Sequence, residues 1–188
     1  MDVPGARQEG FMSVIRIRRI AFSAVVAASY TALTVAIAPL SFGPIQFRIA
    51  EALCIMPFFF PVTAAGLFIG CLIANFLSPY GLLDIIAGSA ATLIAALITM
   101  QLGRINKGKI WTKALACLPP VVFNALIISL VIAWSETGGG AAFRPMFLIN
   151  ALQIGLGQFT VMYVIGLPLM IYLPKSQVFY KLSEQYLQ

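Results

Sequence analysis

The sequence predicts an all-α integral membrane protein, a six-transmembrane-helix bundle with both termini cytoplasmic. Of its 188 residues, 61% are hydrophobic and 10% are charged, whereas soluble domains carry about a quarter charged residues. The apolar residues form long runs that occupy nearly the whole chain, and the basic residues lie beside these runs. We therefore expect a transmembrane domain over 20–173, a cytoplasmic N-terminal leader over 1–19 and a cytoplasmic C-terminal tail over 174–188, with no separate soluble domain.

The first predicted span, Ile20–Leu40, resembles a signal peptide at first sight. A basic stretch at 16–19 precedes it, and Ala36-Ile37-Ala38 resembles a cleavage site. The run is longer than a signal-peptide core, however, and Pro39 follows the small residues. An uncleaved span is the better interpretation.

The second and third spans are predicted over Ile49–Phe60 and Val62–Leu77. The second has only 12 residues, although a complete crossing needs about 20. Pro57 and Pro61 bracket the end of this short run, so the two spans are expected to form a broken hairpin.

The last three spans are predicted over Leu82–Leu102, Ala114–Trp134 and Phe147–Leu173. Turn residues at 78–81 precede the fourth span, and the glycines at 138–140 indicate a flexible loop between the fifth and sixth.

The distribution of basic residues indicates that the short second span crosses the membrane. With the N-terminus inside and six crossings, ten of the twelve basic residues lie inside, and Arg48 and Arg144 lie outside. Without that crossing, the loop 103–113 would carry four basic residues to the outer side. The positive-inside rule therefore favours six spans.

Composition and motifs exclude several function classes. The net charge of +6 does not indicate nucleic-acid binding, because the basic residues flank apolar spans. The chain has no histidine, the commonest general base and metal ligand. Cys54, Cys71 and Cys117 lie in apolar stretches without C-x-x-C spacing, so we expect neither a disulfide nor a metal site.

One phosphate-loop motif is a chance match. Residues 103–109 fit G-x-x-x-x-G-K, but Ile110 replaces the hydroxyl that binds magnesium, and the segment follows a membrane helix instead of a strand. We therefore expect no ATP site and no cofactor in this chain. Active uptake would take its energy from another subunit or from an ion gradient.

Polar side chains concentrate in the outer half of the predicted bundle. Arg48 and Glu51 share one face if helical, and ionisable groups at membrane depth usually line a polar cavity or pair with each other. The other polar residues placed towards this side are Asn75, Asp84, Asn124, Glu136, Asn150, Gln153 and Gln158. The accompanying aromatic residues are Phe47, Tyr80, Trp134 and Tyr163. This pattern predicts a pocket open to the outside that suits a planar heterocycle.

Structural alternatives stay open for these residues. Arg48 and Glu51 could be an ion pair that anchors a short helix, and Asp84 could cap the fourth span. The polar side chains of Asn124, Asn150 and Gln153 could make interhelical hydrogen bonds. Trp134 and Tyr172 are better interpreted as residues of the interfacial aromatic belt.

Small residues recur every four positions on three of the spans. The stripes comprise Ala24, Ala28, Ala32 and Ala36 on the first span, Gly66, Gly70 and Ala74 on the third, and Ala87, Ala91 and Ala95 on the fourth. Such stripes let helices approach closely in lipid. Packing within the bundle explains the last two stripes.

Several blocks of the sequence resemble the queuosine-precursor transporter family, QueT. They are SFGPIQFRIAEAL (41–53), PFFFP (57–61), LFIGCLIAN (67–75) and SPYGLLDI (78–85). The resemblance covers about residues 20–175. It implies a six-helix substrate-binding S component of an energy-coupling factor transporter in a prokaryotic plasma membrane. A transmembrane T subunit and two ATPases, which use ATP and magnesium, would supply the energy.

The resemblance also implies a cargo and a partner surface. The cargo would be a 7-deazaguanine base, whose adjacent N–H donors suit a carboxylate. Ala24 and Ala28 match the A-x-x-x-A element that packs on the T subunit in such components. These components are thought to topple in the membrane to release their cargo.

Glu51 is the first candidate to accept the N–H edge of the base, and Asp84 is the second. Arg48 would donate to the ring carbonyl or orient Glu51. The predicted set is completed by the amides Gln46, Asn75, Asn150, Gln153 and Gln158 and by the stacking aromatics Phe47 and Tyr80.

Three other functions are compatible with such a sequence. The first is an S component for another vitamin or nucleobase. A membrane enzyme is disfavoured because the chain has no histidine and no repeated D-x-x-x-D pattern. A purely structural or solitary channel subunit would bind no small molecule saturably and would not associate with a T subunit.

Overall fold

A computed structural model describes residues 4–105 and 108–186, and this part of the chain is helical without a β-strand. Seven main helical segments follow one another. They are α1 (Pro4–Ala36), α2 (Ile49–Phe59), α3 (Thr63–Leu77), α4 (Gly81–Ile105), α5 (Ile110–Thr137), α6 (Phe143–Lys175) and α7 (Gln177–Tyr186). A single helical turn, Ala38–Ser41, follows α1.

Each of the six predicted spans overlaps one of the segments α1 to α6, although α1 begins at Pro4 and ends at Ala36, before the predicted end at Leu40. In four of them, over Val14–Ala36 and throughout α4, α5 and α6, the helix is long and apolar enough to cross a membrane. The segments α2 and α3 are shorter apolar helices. The chain is therefore a multi-pass membrane protein with four membrane-length helices among the described residues.

The six segments run between the same two ends of the bundle. At the aromatic end, the Phe22 and Phe60 rings meet edge to face at 5.2 Å, and the Thr99 hydroxyl of α4 donates to the Ala116 carbonyl of α5. At the polar end, Asn75 at the close of α3 donates to the Asp84 carbonyl in the first turns of α4. Successive segments are therefore antiparallel, and the two short ones also reach from end to end.

The short α2 gains length from its geometry. It begins as a 3₁₀-helix over Ile49–Ile55 and ends as an α-helical turn over Met56–Phe59. Because a 3₁₀-helix rises about 2.0 Å per residue against about 1.5 Å in an α-helix, α2 is about 20 Å long, close to the 15-residue α3.

The segment before α2 folds into the bundle. Gln46 has a φ of 48° and is 1% exposed. The Ile45 carbonyl lies so close to Gly157 of α6 that a Cβ atom there would overlap it. This close approach brings Gln46 and Arg48 inside the helices instead of leaving them in an external loop.

The helices α1 and α3 pack with almost no space between their backbones. A Cβ atom on Gly70 would lie 2.6 Å from the Ala27 carbonyl oxygen, and the Ser23 hydroxyl donates to the Val62 carbonyl. The predicted small-residue packing is confirmed for α3. On α1, Ala27 faces α3, whereas Ala24 and Ala28 are exposed.

The C-terminal helix α7 is packed against the bundle. Its Phe179 ring lies 5.1 Å from Phe59 and 5.3 Å from Phe60, and Leu182 contacts the same core. The predicted tail over 174–188 thus contains an amphipathic helix that covers the aromatic end. At the other terminus, the described part of the leader continues α1 back to Pro4.

Two helices carry π-helical turns. They cover Asn124–Ile128 in α5, where the turn begins four residues after Pro120, and Val161–Gly166 in α6. A π-turn widens a helix locally and often occurs at a functional site. A buried polar residue lies at each turn. Asn124 is the first residue of the turn in α5, and Gln158 lies three residues before the turn in α6.

Candidate functional site

The polar end of the bundle holds a buried ion pair between α4 and the residue that precedes α2. Arg48 Nη2 lies 3.7 Å from Asp84 Oδ2, and the two side chains are 2% and 0% exposed. Arg48 Nε also donates to the Ser41 carbonyl at 3.1 Å, and its guanidinium lies 4.9 Å from the centre of the Phe42 ring. Arg48 therefore joins the ends of α1 and α2 to the beginning of α4.

The Asp84 carboxylate is held from a second side by the turn that precedes α4. The Ser78 hydroxyl donates to Asp84 Oδ2 at 2.5 Å and accepts the Tyr80 backbone N–H at 3.3 Å. Asp84 therefore contacts Arg48 and the Ser78 hydroxyl, and Ser78 receives the backbone N–H of the turn. The alternative in which Asp84 caps the fourth span is not what this structure contains, because its carboxylate accepts no backbone N–H among the described residues.

Glu51 is completely buried and has a different set of partners. Tyr30 of α1 donates its hydroxyl to Glu51 Oε1 at 2.6 Å, and the Cys54 thiol donates to Oε2 at 3.1 Å. Cys54 lies one 3₁₀ turn after Glu51, on the same side of α2. The alternative in which Glu51 pairs with Arg48 is not what this structure contains, because the ion pair of Arg48 is with Asp84.

These charged groups and their partners form what we call the polar cluster: Tyr30, Arg48, Glu51, Cys54, Asn75, Ser78 and Asp84. Sequence reasoning missed Tyr30, whose only signal is a phenol within an alanine-rich apolar run. It also interpreted Cys54 as a small hydrophobe, whereas its thiol donates to a carboxylate. The expectation that the three cysteines are buried and free of disulfides is confirmed.

Several polar atoms in and around the cluster have no hydrogen-bond partner within the described residues. The unpartnered N–H groups belong to Gln46, Arg48, Asn124 and Asn150, and the unpartnered acceptor oxygens to Asn75, Asp84 and Gln158. Leaving a buried polar group unpaired costs about 1–3 kcal/mol. Buried groups of both kinds at one end of a membrane bundle are therefore suited to a ligand that carries donors and acceptors.

The remaining predicted site residues lie at the margin of this region. Phe47 and Gln153 are half-buried. Tyr80 is also half-buried, packs on a small apolar group that includes Ile128 and Ile154, and donates its hydroxyl to Glu136 Oε1 at 3.3 Å. Burial of the ring and then the Glu136 carboxylate raise the pKa of Tyr80 above its ordinary value.

Two predicted aromatics lie outside the site. The Tyr163 hydroxyl donates to the Ala114 carbonyl in the first turns of α5, so this ring belongs to the aromatic end. Trp134 is 53% exposed and packs edge to face on Phe143. Its exposure fits the alternative of an interfacial belt residue.

A second surface feature is an apolar groove between α1 and α3, with a volume of about 810 Å³. We call it the α1–α3 groove. Its lining includes Ala24, Ala28 and Ala32 of α1 together with Ala65, Ile69 and Ile73 of α3. The alanine stripe therefore leaves one side of α1 flat where it faces away from the bundle.

Comparisons with known proteins agree with one another. A family model described as QueT transporter matches residues 20–175. A protein from Lactococcus lactis subsp. cremoris, described as "Queuosine precursor transporter QueT", is 30% identical over 144 residues, which cover 75% of this chain and 83% of that protein. No solved structure matches the chain significantly.

Proposed function

The chain belongs to the QueT transporter family, and from this premise we propose that it is the substrate-binding S component of an energy-coupling factor transporter. It captures a queuosine precursor, a 7-deazaguanine base, from outside a prokaryotic cell. Membership of a transporter family implies transport instead of catalysis.

The buried polar cluster is the observation that carries this proposal. A guanidinium and two carboxylates, each 2% exposed or less, lie inside an otherwise apolar bundle. Intramembrane ionisable residues usually mark a substrate path or a binding site. A guanine-like ring offers adjacent N–H donors, a carbonyl acceptor and a stacking face, and the cluster with its surrounding amides offers the complementary groups.

The residues take separate roles in this proposal. Glu51 accepts the paired N–H edge of the base, since its carboxylate has only neutral donors, Tyr30 and Cys54, as described partners. Arg48 pairs with Asp84 and closes the site on the α4 side, and an N–H of Arg48 Nη2, which makes no hydrogen bond within the described residues, donates to the ligand. The other edges of the ring are satisfied by the amides of Gln46, Asn75, Asn150, Gln153 and Gln158. The side chains of Phe47 and Tyr80 stack on the ring or cover it.

The proposed topology has six crossings with both termini in the cytoplasm. The end-to-end course of α2 and α3 supports six crossings, since each joins the same two ends as the longer helices. The basic residues Arg104, Lys113, Lys175 and Lys181 then lie at the cytoplasmic side, as the positive-inside rule requires. The polar cluster lies towards the outside, where the cargo enters.

The α1–α3 groove is the proposed contact with the T subunit. Ala24 and Ala28 are exposed, and a flat alanine surface lets a partner helix approach closely in lipid. Two ATPases bound to the T subunit use ATP and magnesium, and this chain itself carries no cofactor.

Direct binding to purified protein tests the proposal. Calorimetric titration would compare 7-aminomethyl-7-deazaguanine, 7-cyano-7-deazaguanine and queuine, with guanine and riboflavin as controls. We expect saturable, tight binding of at least one deazaguanine and much weaker binding of both controls. If folded protein bound none of the three, the cargo class would be wrong. Tight riboflavin binding would favour an S component for another vitamin.

A further inference from the structure

The π-helical turn of α5 lies beside the polar cluster. Gly88 of α4 marks the contact, since a Cβ atom there would lie 2.6 Å from Asn75 Nδ2, 3.1 Å from Asp84 Oδ1 and 3.3 Å from Ile128 Cδ1. Ile128 is the last residue of the π-turn. The cluster and α5 are therefore separated by no more than a glycine.

Asn124 begins this turn and lies about one helical turn from Ile128, on the side towards the aromatic end. Because α4 and α5 are antiparallel, the residue of α4 at the same level is Thr92, one turn after Gly88. The Thr92 hydroxyl donates to the Cys71 thiol at 3.2 Å. Cys71 follows Gly70, whose Cβ position would lie 3.0 Å from Tyr30 Cβ. Asn124 thus lies at the depth of the Tyr30–Glu51 pair.

The packing of the described helices does not use the side-chain N–H donors of Asn124. It is 3% exposed, and Nδ2 has no hydrogen-bond partner within the described residues. Ser129, in the following turn, is fully buried with an equally unpartnered hydroxyl. An asparagine that served only helix association would donate across the interface. A buried, unpartnered amide on a π-turn beside a charged cluster points instead to a ligand.

We propose that Asn124 is a specificity-determining residue of the ligand site, which donates an N–H to the carbonyl oxygen of the bound ring. This inference rests on the proposed function. In a guanine-like base the carbonyl adjoins the N–H edge that Glu51 accepts, so the two groups need protein partners at one depth. Asn124 and Glu51 meet that requirement from opposite helices, α5 and α2.

The proposal gives α5 a ligand contact, since none of the residues of the predicted substrate-binding set lies on this helix. On this proposal, the amide favours a base that carries a carbonyl. A site built to donate to a carbonyl leaves its donor unpaired when the ligand lacks a good acceptor, and such sites reject the poorer ligand strongly.

The test compares an oxygen with a sulfur at the same ring position. The probes are the deazaguanine that the wild type binds best and its analogue with a thiocarbonyl, which keeps the N–H edge but is a weaker acceptor. We expect the wild type to prefer the carbonyl form by about 10-fold. Asn124→Leu should weaken binding of the carbonyl form by about 10-fold and abolish the preference, while Asn124→Asp should weaken it further because the donor becomes an acceptor.

Gln101→Leu, at an exposed position of α4 near the aromatic end, is the matched control and should bind like the wild type. Thermal unfolding without ligand separates a structural role, because Asn124→Leu removes an unpaired amide and should not lower the melting temperature. An unchanged ratio between the two probes in Asn124→Leu would overturn this inference. Failure of the wild type to bind any deazaguanine would instead overturn the proposed function.

Discussion

The hydroxyl of Tyr30 donates a hydrogen bond of 2.6 Å to Glu51 Oε1, and neither side chain is exposed. This bond joins the C-terminal part of α1 to the first turn of α2. It holds the carboxylate that we propose for base recognition against α1, and another side of α1 lines the α1–α3 groove. Cargo recognition and the proposed partner contact therefore share α1.

Removing the Tyr30 hydroxyl should weaken both stability and binding. Tyr30→Phe leaves Glu51 with the Cys54 thiol as its described donor, and losing a hydrogen bond to a charged group costs about 1.5–3 kcal/mol. Thermal unfolding in detergent and calorimetric titration with a deazaguanine measure the two effects. Tyr172→Phe is the control, since Tyr172 is 67% exposed and should change stability by less than about 0.5 kcal/mol. Equal behaviour of the two variants would contradict the role of this bond.

Neutralising Glu51 should reduce binding while the fold is kept. Glu51→Gln preserves size, but one of its two acceptor oxygens becomes a donor, which cannot accept the paired N–H edge of the base. We expect at least a 10-fold rise in the Kd for the deazaguanine, measured by titration, with a melting temperature within a few degrees of the wild type. Wild-type affinity in the folded variant would exclude Glu51 as the group that recognises the base.

Removing one partner of the Arg48–Asp84 pair should destabilise the protein, and removing both partners should restore part of that stability. Asp84→Asn leaves the buried guanidinium without its carboxylate, and removal of one partner from a buried pair costs about 3–5 kcal/mol. Adding Arg48→Met removes the orphaned charge and should restore part of the stability. A double-mutant cycle of unfolding free energies measures the coupling. Strictly additive effects would mean that the two side chains do not interact.

Two substitutions to larger side chains should separate folding from partner binding. Gly70→Ala adds a Cβ atom 2.6 Å from the Ala27 carbonyl oxygen, and such overpacking costs about 1–3 kcal/mol. Ala28→Leu lies in the exposed α1–α3 groove and should leave stability and deazaguanine affinity unchanged. Copurification with the T subunit should fall at least 10-fold for Ala28→Leu. Full copurification of that variant would place the contact elsewhere.

The Tyr80–Glu136 contact predicts that the Tyr80 phenol titrates at a higher pH than an ordinary tyrosine. Burial of the Tyr80 ring, and then the Glu136 carboxylate, raise the pKa of this phenol above 10.0. Because the folded-state pKa is higher than the unfolded one, the associated stability is complete below pH 10 and is lost as the pH rises towards the folded value. Carbon-13 NMR of the tyrosine ring, assigned with Tyr80→Phe, measures this titration. Glu136→Gln should move the titration to lower pH, and titration of Tyr80 at or below the ordinary pKa would contradict the contact.

The course of the helices was predictable because it depends on local signals. Apolar run length and the turn residues at 78–81 and 138–140 placed α2 to α6 to within four residues, whereas α1 begins at Pro4, well before the predicted start at Ile20. The excess of polar residues at one end predicted where the cluster lies. A 12-residue span looked too short, since the sequence does not indicate that Ile49–Ile55 adopts the longer rise of a 3₁₀-helix.

The partners within the cluster were not predictable, because they depend on how helices rotate against each other. Close packing at Gly70 turns Ala27 towards α3 and aims Tyr30 at Glu51. Arg48 lies three residues from Glu51 yet pairs with Asp84, which the turn after α3 brings beside it. The packing of α7 was missed because Phe179 and Leu182, which contact the core, lie among polar and charged residues in a short tail.

The 3₁₀ geometry of α2 also has an evolutionary consequence. With three residues per turn, Arg48, Glu51 and Cys54 lie near one line along the segment. Inserting or deleting a single residue there would rotate everything beyond it by about a third of a turn and carry the carboxylate away from Tyr30. A change of cargo in a descendant of this protein is therefore expected to arise by exchange of side chains at a fixed spacing, whereas indels should occur in loops such as 138–142.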